Sequence, residues 1–163
     1  MREFNYITID GNTPYERGKQ HGEAARKLIC LGLDRYHRKF EAPWETVREK
    51  AERYVEFLAA DYSDLLDEVR GIGDGAGVDF EDMMVLNTRY ELSKFPFVKE
   101  CTTFAVLPDA SENRHVYLGM NWDNVRWMQD SSLLFHVNEQ NGIQYFCMTE
   151  AGQLIRHGFN NFG

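Results

Sequence analysis

Apolar positions recur through the first hundred residues at the three- and four-residue steps of amphipathic helices; beyond residue 100 they alternate in short runs divided by turn formers. At the start, Tyr6 and Thr8 alternate with Ile7 and Ile9, which predicts a strand from Phe4 to Ile9. Thr13-Pro14-Tyr15-Glu16 then predicts a helix start: Thr13 caps it, Pro14 has its φ preset for the first turn, and Glu16 completes a capping box. Gly18 and Gly22 stand four apart on one face of that helix. Each costs ~1 kcal/mol of helix propensity relative to Ala, a penalty that points to close approach by another backbone. From Pro43, the residues Trp44, Val47, Ala51, Tyr54, Val55, Leu58 and Tyr62 form a second apolar stripe. Ser63 is placed to cap a continuation carrying Leu65, Leu66, Val69 and Ile72, which the run from Gly71 to Gly77 ends. Asp79, with Asp82 three residues on, is placed to cap a further helix through Met83, Met84, Leu86 and Tyr90.

From Cys101 the alternation predicts strands over 101–107, 115–121, 131–138 and 143–149. Pro108-Asp109, Asn141-Gly142 and Ala151-Gly152 supply turns between and after them, and Asn-Gly is a strong hairpin dipeptide. Helices first and an antiparallel meander afterwards predict an α+β fold. Neither a repeat nor a linker interrupts the chain, so the expectation is a single domain over 1–163, with a helical segment 1–100 and the start of a β segment at 101–163. The sequence stops just after a strand-like stretch with no element to close a sheet, which reads as an incomplete domain.

Composition narrows the function classes. The chain has 163 residues, 43% hydrophobic and 27% charged, enough for about one domain with a core. Eighteen Lys and Arg against 26 Asp and Glu leave a net charge of −8, which argues against nucleic acid and anionic membrane as partners. Apolar runs fall well short of the ~18 residues of a membrane span, and Met1-Arg2-Glu3-Phe4 turns polar at once, unlike a signal peptide. Three widely spaced cysteines, Cys30, Cys101 and Cys147, suit free thiols in a reducing, cytoplasmic compartment. Gly71-x-Gly73-x-x-Ala76 has the letters of a dinucleotide fingerprint but follows a helical stripe instead of a strand, so a helix end and loop is the better account. The five histidines and the acids near Asp74, Asp79 and Asp82 lack metal-ligand spacing; solvated faces and caps account for them, and no metal or cofactor is expected.

Cys101 opens the β half directly after Phe95-Pro96-Phe97-Val98-Lys99-Glu100. From spacing alone it is a small strand hydrophobe or a nucleophile. Thr103, two residues on, shares its strand face and is either an ordinary β-branched residue or a hydroxyl partner. Asp123 reads as a strand-end turn residue, and Trp122, Trp127, Phe104, Phe135 and Tyr145 read as core or as the lining of an acyl pocket.

The order Cys101-Thr102-Thr103, then Leu118-Gly119-Met120-Asn121-Trp122-Asp123, then Gly158-Phe159-Asn160-Asn161-Phe162-Gly163 resembles the peptidase C45 family, the penicillin acyltransferase-like N-terminal nucleophile hydrolases. Arg17-Gly18-Lys19-Gln20-His21-Gly22, Glu68 to Gly77 and Leu86-Asn87-Thr88-Arg89-Tyr90-Glu91 resemble the family's early helices. The resemblance implies an αββα sandwich made as a silent precursor that cuts its own backbone, here between Glu100 and Cys101. Family members commonly carry Gly before the cysteine, where this chain has Glu100. Cleavage would give Cys101 both a thiol (reference pKa ~8.5) and a free α-amine (~7.7–8.0), nucleophile and base on one residue.

The resemblance further implies that Asp123 holds the Cys101 amine or thiol in orientation. Thr103 would hydrogen-bond the amine or the scissile region, and the backbone N–H of Asn160 would help form an oxyanion hole. The implied activity is amide hydrolysis or acyl transfer through a Cys101 thioester, on small amides or acyl thioesters, with acyl-CoA a candidate substrate. Amide hydrolysis without transfer is one alternative. The other is an uncleaved piece with only a structural or binding role, associating with a missing C-terminal portion or with its own copies.

Overall fold

A computed structural model describes residues 3–93 and 101–162. It is mixed helix and sheet, consistent with α+β, in the order β1 (Asn5–Ile9), α1 (Pro14–Lys39), α2 (Trp44–Asp61), α3 (Ser63–Ala76), α4 (Phe80–Leu92), β2 (Thr102–Val106), β3 (Tyr117–Asn121), β4 (Ser132–Asn138), β5 (Gln144–Glu150) and β6 (His157–Asn160). The described residues divide into a larger body, 3–93 with 127–162, and a smaller one, 101–126.

In the larger body α1 starts as its sequence dictates. The Thr13 side chain accepts the Glu16 N–H at 3.2 Å, and the Glu16 carboxylate accepts the Thr13 N–H at 3.1 Å. The close approach expected at Gly18 and Gly22 is to α3, and it is reciprocal. A Cβ on Gly18 would fall 2.0 Å from the Glu68 carbonyl oxygen, and one on Gly22 would fall 2.1 Å from that of Ile72. From the other side, Cβ atoms on Gly71 and Gly75 would fall 2.1 and 2.2 Å from the carbonyl oxygens of Tyr15 and Lys19. Two Gly-x-x-x-Gly faces therefore meet backbone to backbone. The run from Gly71 to Gly77 ends the helix as expected, but only at its last residue, with α3 continuing to Ala76. The stop falls at Gly77, where φ is +68° and the N–H turns back to Asp74 and Gly73.

Two caps also differ from expectation. Neither Tyr62 before α3 nor Asp79 before α4 makes a side-chain cap bond, and Ser63 is the first residue of α3. The Asp79 carboxylate instead accepts from Arg48 Nη2 at 2.6 Å, an ion pair that competes with capping.

The helices cover one face of a four-stranded sheet ordered β1-β4-β5-β6. The meander expected over the four strands after residue 100 is split: β2 and β3 form their own sheet, β4 and β5 pair antiparallel, and β6 (not among the predicted strands) adds to β5. β1 joins parallel to β4, with Ile7 opposite Phe135 and Ile9 opposite Val137. The sheet thus draws strands from both sides of Cys101. Its inner face buries Ile9, Leu133, Phe135, Val137, Cys147 and Thr149 beneath helices that contribute Ile29, Val69, Ile72, Met83 and Leu86. The opposite face carries Tyr6, Leu134, Phe146 and Phe159, all exposed. The β4–β5 turn is made at Asn141-Gly142, where Gly142 takes φ +85°.

The smaller body is a two-stranded antiparallel sheet, β2 with β3, in which Thr102 pairs Asn121 and Val106 pairs Tyr117. Phe104 and Leu118 are more than half exposed on it. No helix among the described residues is long and apolar enough to cross a membrane.

Candidate functional site

The β2–β3 register decides where the candidate residues stand. Because Thr102 pairs with Asn121, Cys101 (one residue before) and Asp123 (two residues after) leave the same end of the hairpin, opposite its 107–116 connection. Cys101 is a free, exposed thiol, and Asp123 is exposed as well. Thr103 pairs with Met120, one step into the ladder, and by strand alternation keeps the face that Cys101 has at the strand entrance. Glu100, the other side of the expected scissile bond, lies outside the described residues.

Asn160 belongs to the larger body, at the end of β6 opposite Tyr145. Its side-chain Oδ1 accepts the Phe162 N–H at 2.9 Å, so the side chain shapes the turn that follows the strand. The aromatic set is spread over different surroundings. Phe135 is core, Trp127 packs edge-on against Tyr36 at 5.1 Å between centroids, and Phe104 lies over Gly119 in the hairpin.

Thiol environments separate the three cysteines. Cys147 is buried under the sheet, and burial, with Glu68 nearby, pushes its thiol up to about 12, leaving it protonated and inert. Cys30 is exposed on α1 with no candidate partner in sequence, whereas Cys101 shares its hairpin end with a carboxylate.

Sequence reasoning missed the larger body's polar centre. Arg89 on α4 and Glu150 at the end of β5 are 3% and 1% exposed and meet at 2.7 Å. Arg89 Nε donates to the Tyr36 hydroxyl at 2.8 Å, that hydroxyl donates to Glu150 Oε2 at 3.1 Å, and Gln153 Nε2 donates to the same oxygen at 2.6 Å. Arg35 reaches Asp130 at 2.6 Å and donates to the Trp127 carbonyl, fastening the 127–130 segment to α1. Sixty residues lie between Arg89 and Glu150 in the chain, and no local pattern pairs them.

The sequence places His21 on a solvated face, but it is 4% exposed on the inner side of α1. Its Nε2 accepts the Gly152 N–H at 3.0 Å, and its ring meets Phe135 edge-on. Burial lowers its pKa to about 3, so the ring is neutral and serves as an acceptor that holds the turn after β5. Glu68 is the opposite case: burial, with Glu139 nearby and against the pull of Arg17, raises its carboxyl to about 7.

No protein-family model matches the chain. The 40 kDa form of acyl-coenzyme A:6-aminopenicillanic-acid acyltransferase from Emericella nidulans is 25% identical to it over 166 residues, covering 97% of this chain and 44% of that protein. The chain therefore spans less than half the length of this curated relative, and its likeness to an acyltransferase is distant but runs almost end to end.

Proposed function

We propose that the protein is a cysteine-dependent acyl-transfer enzyme of the N-terminal nucleophile kind, with Cys101 as nucleophile and Asp123 as its orienting carboxylate. The observation that carries this reading is the hairpin register, which sets an exposed thiol and a carboxylate at one strand end. The end-to-end likeness to an acyltransferase supports it.

Maturation begins when Cys101 Sγ attacks the Glu100 carbonyl carbon. The C–S bond forms and the C–N bond breaks, the thiol proton passing to the leaving nitrogen, which gives a thioester and a free Cys101 amine. Water then hydrolyses the thioester to a Glu100 carboxyl and a free thiol. In turnover the amine takes the thiol proton, and the thiolate attacks an amide or thioester carbonyl. The leaving amine or thiol departs with that proton. The acyl group, held as a thioester, passes to water or to an incoming amine. Thr103 donates its hydroxyl at the strand entrance, and the Asn160 N–H serves the oxyanion. Before cleavage the Cys101 nitrogen is an amide with no basic lone pair, so the precursor is silent.

Intact mass and N-terminal sequencing test this together. The parent yields a fragment beginning Cys-Thr-Thr-Phe, and Cys101→Ala stays whole and turns over no acyl thioester. A parent that never cuts, or a Cys101→Ala variant that does, overturns the reading. A labelled acyl thioester supplied with an amine acceptor separates transfer, which makes a new amide, from hydrolysis, which does not.

The exposed sheet face of Tyr6, Leu134, Phe146 and Phe159 favours a companion proposal: a second sheet covers it, giving the αββα layering of such enzymes.

A further inference from the structure

The larger body contains a cavity of about 280 Å³ among α2, α3, α4 and the segment after β5, remote in sequence from Cys101. Its apolar wall is Leu58, Leu65, Leu66, Met84, Leu154 and Ile155. The volume sits just under the ~300 Å³ at which small-molecule pockets commonly begin, and well above the ~150 Å³ that holds a benzene ring.

Most polar groups of the lining are already committed. Asn87 Nδ2 donates to the carbonyls of Met83 and Gly152, and its Oδ1 accepts the Leu154 N–H. Thr88 donates to the Met84 carbonyl, and Arg89 is held by Tyr36, Leu86 and Glu150. Gln153 differs. Its Nε2 is fixed on Glu150, which turns Oε1 into the amide's only acceptor, and that oxygen has no partner although the residue is 2% exposed. A buried acceptor left open is a standing cost that a donor would relieve. Charge does not favour an ion: the Arg89 guanidinium is neutralised by Glu150, and Arg156, stacked over Tyr90 at 4.7 Å, shares the lining with Glu91.

We propose that this cavity binds a small uncharged molecule with an apolar, ring-sized body and one O–H or N–H donor, recognised by Leu58, Leu65 and Met84 around the body and by Gln153 Oε1 at the donor. This site stands apart from the proposed nucleophile and does not depend on it.

Ligand-observed NMR titration of the 163-residue chain with a matched pair, 4-methylphenol and toluene, tests the assignment. The phenol binds about five- to tenfold more tightly than toluene, the gain expected from pairing one open acceptor. Gln153→Met removes that preference. Because Gln153 also serves Glu150, a second variant, Leu65→Trp, fills the cavity mouth from a part-exposed position and abolishes binding of both compounds while leaving the polar network in place. Equal affinity for phenol and toluene in the parent, no binding of either at millimolar concentration, or binding that survives Leu65→Trp overturns the proposal.

Discussion

Helices α1 and α3 touch through bare backbone at four glycines, whereas the β2–β3 hairpin leaves Phe104, Tyr117 and Leu118 open on its surfaces. The first contact tolerates no added atom. Two-stranded hairpins are marginal by themselves in water. The body made of 3–93 and 127–162 carries the buried core, and three of the four proposed active-site residues lie on the other, the hairpin. A reactive thiol needs access and room to engage a carbonyl, and a close-packed seam offers neither.

The largest expected effect attacks the rigid side at its polar centre. Arg89→Ala leaves Glu150 buried and unpaired, and should cost ~3–5 kcal/mol in denaturant unfolding. A loss below about 1 kcal/mol would mean that the pair adds little to cohesion. Next comes a paired test of the contrast itself. Gly22→Ala drives a methyl into the Ile72 carbonyl and should destabilise by ~3 kcal/mol, while Leu118→Ala, with its side chain half exposed, should change stability by less than ~0.5 kcal/mol. Similar losses for the two would erase the distinction between seam and hairpin.

The smallest effect is in pH dependence. Buried neutral His21, lowered to about 3, contributes stability that is complete above its ordinary 6.5 and is lost as pH falls toward 3. Glu68, raised to about 7, contributes stability that is complete below its ordinary 4.5 and is lost as pH rises through 7. Between pH 5 and 6.5 the two slopes oppose, so the urea midpoint of the parent should move little. His21→Gln keeps an acceptor for the Gly152 N–H but no longer titrates, and its midpoint should fall as pH rises across that window. A flat profile in the variant would remove Glu68 from the account.

Much of the architecture was legible because periodicity reports burial directly. The Thr13–Glu16 box, the α2 stripe and the Asn141-Gly142 turn all depend on near neighbours, and they stand where the pattern put them. The run from Gly71 to Gly77 does end α3, at Gly77, but propensity is local and could not say that Gly71 and Gly75 inside the helix answer to a helix fifty residues away. The clue was present: Gly71 and Gly75 repeat the four-residue spacing of Gly18 and Gly22. Nothing local could name β4 as the partner of β1, since alternation locates a strand without choosing its neighbour. His21 inside a buried seam, and Arg89 with Glu150, required the tertiary fold to become visible. At the candidate site, the family resemblance and not residue type nominated Cys101, Thr103 and Asp123; only the ladder register places the first and last at one strand end.

The parallel pairing of Ile7 with Phe135 also orders events in time. A ribosome adds well over a hundred residues after the first strand before its neighbour exists, so the opening segment waits, tethered to α1, while the helices gather. Until Val137 has emerged, an apolar ribbon of Ile7 and Ile9 is unmatched, and it is during that interval that the nascent chain is most open to a chaperone or to a neighbouring nascent chain.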